Sequence, residues 1–164
     1  IKMIKSYFIS QTSLKKKFKK VGKNCKISNK ASFIGEKNII IGDNVRVDDF
    51  AVIVAYDGNI TIGSDTHIGS LSYILGSGGI VIGNSCNISQ GVKIYSKSDN
   101  YKMRKKKTYK AKVVISDNCI IGSNVVILPG SKLNKNVRIG ALTLVNKEIR
   151  SNSLYFGKQT KKLN

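Results

Sequence analysis

Aliphatic residues fall at every sixth position along much of this chain. Ile115, Ile121, Ile127, Leu133, Ile139 and Val145 form an unbroken series of six. Ile, Leu and Val make up about a quarter of the chain, so such a series arises by chance at roughly one starting point in a few thousand. Shorter series repeat the spacing: Ile41, Val47, Ile53; Ile62, Ile68, Ile74; Ile82, Ile88, Ile94. Gly often follows the aliphatic residue, as at Gly42, Gly63 and Gly83, and Asn or Asp often stands three positions after it, as at Asn44, Asp65 and Asn124. A period of six does not fit the 3.6-residue helix, and so many Gly and β-branched residues weaken one. A short strand and a turn, repeated every six residues, fit both facts. The aliphatic side chain points inward, and Gly, Asn and Asp take the corners, where left-handed backbone costs them little.

A longer repeat sets the coil. I-x-I-G begins at Ile39, Ile60 and Ile80, and V-V-I-S at Val113 repeats the cue after an insertion. Three strand-turn units make one triangular coil, and coils stack in parallel. The expected fold is therefore all-β, a parallel β-helix over residues 27–146, with a protruding basic loop at 96–112. Residues 1–26 are expected to form a basic extension or cap, and residues 147–164 a basic tail. Ile4, Phe8, Leu14 and Phe18 give the first segment a loose apolar stripe, suited to covering the open end of the coil. The same segment, being basic and weakly amphipathic, also suits an anionic membrane surface.

Charge changes the picture only at the edges. The net charge is +20, from 29 Lys plus Arg and 9 Asp plus Glu. Residues 1–26 hold nine Lys and no acid, and residues 97–112 hold seven Lys and one Arg around Asp99. The repetitive middle is far less basic, so the fold does not rest on the charge. Cys25, Cys86 and Cys119 have no paired metal spacing and read as reduced, buried residues of a cytoplasmic protein. One His excludes a multi-histidine metal site, and no metal is expected. No apolar run reaches the ~18 residues that span a bilayer, and residues 1–20 lack the apolar core of a secretory leader.

The repeats over Ile27–Val145 resemble the hexapeptide-repeat acyltransferase superfamily. The stretch H-I-G-S at 67–70, G-S-G-G-I at 76–80 and I-Y-S-K-S-D-N-Y at 94–101 is similar to its branch of bacterial surface-polysaccharide sugar acetyltransferases. That branch typically carries S-D-D where this chain has Ser98, Asp99 and Asn100. The resemblance implies a left-handed coil, a homotrimer with sites in the grooves between copies, and acetyl-CoA as acyl donor. Its acceptor would be a hydroxyl or amino group of a sugar, carried on a nucleotide or on a surface glycan.

His67, the lone histidine, precedes inward-facing Ile68 and so should face outward. The resemblance makes it the general base, with a backbone N–H stabilising the oxyanion; a plain surface histidine is the competing reading. Asp99 would orient His67 or bind the acceptor, if its loop folds back over the groove; an ordinary turn residue beside Ser98 and Asn100 is the competing reading. Asn100 and Tyr101 would contact the sugar. For acetyl-CoA the resemblance points to Gly122, Ser123, Gly140 and Ala141, small residues beside the pantetheine arm, and to Lys147, Lys158 and Lys161 near its phosphates. A second reading is a non-catalytic coil that binds a polyanion or a protein through its lysines. Nucleic acid has the charge in its favour but no recognition motif.

Overall fold

A computed structural model describes residues 7–99 and 108–157. Its coil is a parallel β-helix, as the repeats imply, and left-handed, as the resemblance implies, with three parallel sheets as its faces. The chain visits the three faces in turn, so each circuit is one coil. On the first face lie Ile39–Ile41, Ile60–Ile62, Ile80–Ile82 and Val113–Ile115; on the second, Arg46–Val47, His67–Ile68, Asn87–Ile88 and Ile120–Ile121. The third face carries Val52–Val54, Tyr73–Leu75, Lys93–Tyr95 and Val126–Ile127. Coils begin at Lys20, Ile39, Ile60, Ile80, Val113 and Lys132, and Glu148 opens an incomplete seventh.

Register explains the periodicity. Ile41 pairs with Ile62, Ile62 with Ile82, and Ile82 with Ile115, so identical residues stack in one column. Ile68, Ile74, Ile88 and Ile94 are wholly buried in the same way. Burying one such side chain is worth about 1.5–3 kcal/mol, and the stacked columns form a continuous core. Gly follows the inward aliphatic residue because coils touch there. A Cβ on Gly63 would lie 2.4 Å from the carbonyl carbon of Gly83.

The coil is longer than the repeats suggested. Lys20–Val21 pairs with the first face, and Glu148–Ile149 and Leu154–Tyr155 continue it beyond residue 146. These strands lie outside the expected bounds of 27 and 146, and they keep the spacing in short runs, Val21 six residues before Ile27 and Ile149 six before Tyr155. The N-terminal helix is short, Gln11–Lys17, with Ser10 accepting from the Ser13 N–H as its cap. Leu14 and Phe18 are buried over the first coil, and Phe18 meets Phe33 edge to face at 4.9 Å. The segment before it is tied down by Asp49, which accepts from the Tyr7 hydroxyl, from Ser28 Oγ at 2.6 Å and from Lys30 Nζ at 3.1 Å. Those hydrogen bonds, Ser28's first, hold the Asp49 carboxyl down at about 2.

The insertion leaves at the corner between the third and first faces. Lys97–Asp99 pairs antiparallel with Thr108–Lys110, and Lys110 reaches Asp57 at 3.5 Å. All three cysteines are free and buried. Among the described residues no helix is long and apolar enough to cross a membrane.

Candidate active site

The second face lines up one outward residue per coil: Arg46 pairs with His67, and His67 with Asn87. His67 thus sits between the coils above and below. Its Nε2 lies 2.7 Å from Asp48 Oδ2 and its Nδ1 lies 3.1 Å from Asn87 Oδ1. Arg46 Nε donates to the other Asp48 oxygen at 2.7 Å. Burial pushes the Asp48 carboxyl up, but the hydrogen bonds and charges of His67 and Arg46 outweigh it and hold the group below its ordinary value. Asp48 therefore stays charged at neutral pH. It fixes the imidazole by accepting a hydrogen bond from Nε2–H, and Nδ1 becomes available as a proton acceptor once the Asn87 amide oxygen turns away from it.

Two residues beyond this column stands a second one: Asp48, Gly69, Ser89, Gly122 and Gly140, each just past its second-face strand. Small side chains keep this strip low along the coil. At Gly122 the backbone itself demands it, since a Cβ would lie 2.6 Å from Ala141 N. Gly122, Ser123, Gly140 and Ala141 therefore share a face with His67, two to three coils further along.

Asp99 stands elsewhere. It pairs with Thr108 out on the hairpin, away from the base at Lys97 and Lys110, past the whole third face from His67, which it does not contact within one chain. The hairpin strands pair with each other, and the carboxylate at the His67 ring is that of Asp48. Asp99 instead lines a cavity of about 420 Å³ with Leu75, Ser77, Tyr95, Lys97, Ser98 and Leu128. Lys147 also lies apart, on the C-terminal end of the coil, its Nζ 4.9 Å from the Tyr155 ring centroid. Asn100, Tyr101, Lys158 and Lys161 fall outside the described residues.

Sequence reasoning missed Arg46, Asp48 and Asn87. The signal was available: counting seven residues from Ile39, Ile60 and Ile80 gives Arg46, His67 and Asn87, one column of neighbours.

Residues 112–147 match the bacterial transferase hexapeptide (six repeats) family, and residues 59–96 match the hexapeptide repeat of succinyl-transferase. The dTDP-4-amino-4,6-dideoxy-D-glucose acyltransferase of Escherichia coli is 38% identical over 150 residues, covering 85% of this chain and 78% of that one. The chain belongs to the hexapeptide-repeat acyltransferases, in their sugar-modifying branch. A second relative is the galactoside O-acetyltransferase of Lactococcus lactis, 30% identical, with 88% of this chain and 61% of that enzyme covered. Among solved structures, AntD, an N-acyltransferase from Bacillus cereus, superposes with a TM-score of 0.88 at 32% identity, over 96% of this chain and 89% of that one. That crystal is a serine-to-cysteine variant with dTDP-4-amino-4,6-dideoxyglucose and coenzyme A bound; another holds dTDP and 3-hydroxybutyryl-CoA, with a TM-score of 0.86.

Proposed function

We propose that this protein transfers an acyl group from acyl-CoA to the amino group of a nucleotide-linked amino sugar of the dTDP-4-amino-4,6-dideoxyglucose type. The observation that carries this reading is that two relatives, each matched over most of its own length, are named for or crystallised with that same amino sugar. It narrows the acceptor from a hydroxyl or amino group to an amine, and it leaves acetyl as one of several candidate acyl groups.

The working site is a groove between copies of a homotrimer. Phe50 and Leu71 support this assembly: both are exposed, at 56% and 65%, and both hold left-handed φ of 60°. A bulky residue pays about 1–2 kcal/mol for that conformation, and burial against a second copy would offset it. Val52, Val54, Tyr73, Leu75 and Tyr95 make the adjoining third face largely apolar. In such a groove the His67 face of one copy meets the Asp99 cavity of the next.

AntD was crystallised as variants of a serine and an aspartate ten positions apart. In this chain Ser89 and Asp99 are a Ser–Asp pair at that spacing. Ser89 lies on the His67 face and Asp99 on the hairpin at the corner between the third and first faces, so a shared groove would reunite them.

In the proposed reaction the neutral amine attacks the thioester carbonyl. The N–C bond forms, the C–S bond breaks, and the nitrogen proton passes through His67 Nδ1 to the departing thiolate. Asn87 yields Nδ1 to the acceptor, while Asp48 stabilises the imidazolium. Asp99 of the neighbouring copy holds the amine, and the low strip at Ser89, Gly122 and Gly140 receives the pantetheine arm.

The test is to incubate the protein with dTDP-4-amino-4,6-dideoxyglucose and either acetyl-CoA or 3-hydroxybutyryl-CoA, following thiol release and product mass. Amide formation at the 4-amino group is expected. Thiol release no faster than thioester hydrolysis with either donor would refute the reading.

A further inference from the structure

The capped end of the coil carries charge that neither the core nor the groove uses. Lys15, Lys16, Lys19, Lys20, Lys23 and Lys26 are all exposed around the helix Gln11–Lys17 and the first coil. Among the described residues none of the six is in an ion pair. The acids nearby are already engaged. Glu36 pairs with Lys17 at 3.3 Å, Asp49 with Lys30, and Asp43 Oδ1 accepts from the Lys23 backbone N–H at 2.7 Å. The helix holds its place through buried Leu14 and Phe18, so packing does not require the lysines.

Assembly multiplies this patch. Under the homotrimer reading above, on which this step rests, three copies related by a threefold axis all point the same way, because a rotation axis is polar. Coils packed side by side then bring their three caps to one end, and the patch is repeated three times on one broad surface. The groove opens along the side of the coil and stays clear.

The patch is built of lysines alone. The helix sequence Q-T-S-L-K-K-K offers no aromatic ring for stacking on bases and no Arg fork for bidentate readout. Point charges spread over a broad end fit a laterally extended anionic surface, where each contributes by proximity. We propose that the capped end docks the enzyme peripherally on anionic lipid, with its grooves facing solvent along the membrane normal.

The test is flotation of the full chain with phosphatidylcholine vesicles, with and without about 30% phosphatidylglycerol, at about 50 mM and about 500 mM salt. Expected is binding to the anionic vesicles alone, lost at high salt. The variant K15E/K19E/K23E should bind at least about tenfold less. K132E/K135E/R150E, which makes the same charge change at the opposite end, should lose less than about twofold. Melting curves establish that both variants fold, and turnover of K15E/K19E/K23E without vesicles should match the parent, which keeps this test separate from that of the acceptor. Equal losses in the two variants would overturn the proposal, since diffuse charge would then suffice. So would absence of flotation at low salt, or displacement of the vesicles by duplex DNA at equal phosphate concentration.

Discussion

Two corners of the same coil solve one backbone problem with different residues. Between the first and second faces, left-handed φ falls on Asn24, Asn44, Asp65, Ser85, Asn118, Asn136 and Asn152. These residues adopt it cheaply, and they bond one another from coil to coil: Asn44 Nδ2 to Asp65 Oδ1 at 2.9 Å, Asn136 Nδ2 to Asn152 Oδ1 at 2.8 Å. That edge is complete within one chain. Between the second and third faces the same conformation falls on Phe50, Leu71, Gly91, Asn124 and Leu142. Three of these are large, apolar and exposed, so this edge is strained and unfinished in a single copy. The first corner shows what the coil needs for itself. The excess at the second marks where a partner copy is expected, beside His67.

The largest expected effect separates chemistry from scaffold. His67→Ala should lower kcat/KM by about 100-fold or more with an unchanged melting temperature, because a proton acceptor is worth that much. A smaller loss would return His67 to the role of a surface residue. Next comes the strained edge. Phe50→Asn combined with Leu71→Asn keeps the left-handed conformation affordable and removes the apolar contacts. Light scattering should show the trimer lost, and activity should fall by about tenfold or more, while unfolding of the isolated chain becomes no easier. A trimer that survives the pair would break the comparison.

Asp48→Asn should lower turnover by about tenfold. Asp48 titrates below its ordinary value in the fold, so its charge, and the stability its pairing lends, persist until the pH falls below the usual carboxylate range. Asp48→Glu, which keeps the charge, should recover more of the turnover than Asp48→Asn, a split that a merely structural aspartate would not give. The smallest effect is at the finished corner: Asn44→Ala should cost about 1 kcal/mol in denaturant unfolding and leave turnover unchanged.

The fold was legible because each inward Ile sits six residues from the next and its Gly marks a coil contact, as at Gly63. Its limits were less so, since Lys20–Val21 and Leu154–Tyr155 belong to runs of only two or three hexads, interrupted by Phe33 and by the four-residue step from Val145 to Ile149, and their pairing with neighbours is what marks them. His67 was legible as the lone histidine. Its partners were not, because Asp48 and Asn87 lie 19 and 20 residues away and meet it only through coil register. Asp99 was expected to orient His67 or to bind the acceptor, and the first contact is not made within one chain for a local reason: the described part of the insertion pairs with itself and leaves from another corner. That failure within one chain is what points to a site shared between two.

The most direct test of that shared site is complementation. His67→Ala and Asp99→Ala are expected to be nearly inactive separately. Co-expressed in equal amounts, they assemble at random, and a groove that takes His67 from one copy and Asp99 from the next is intact in about a quarter of cases. A shared site requires recovery of about a quarter of the parent activity in the mixed trimers. Activity that stays at the level of the separate variants would contradict it.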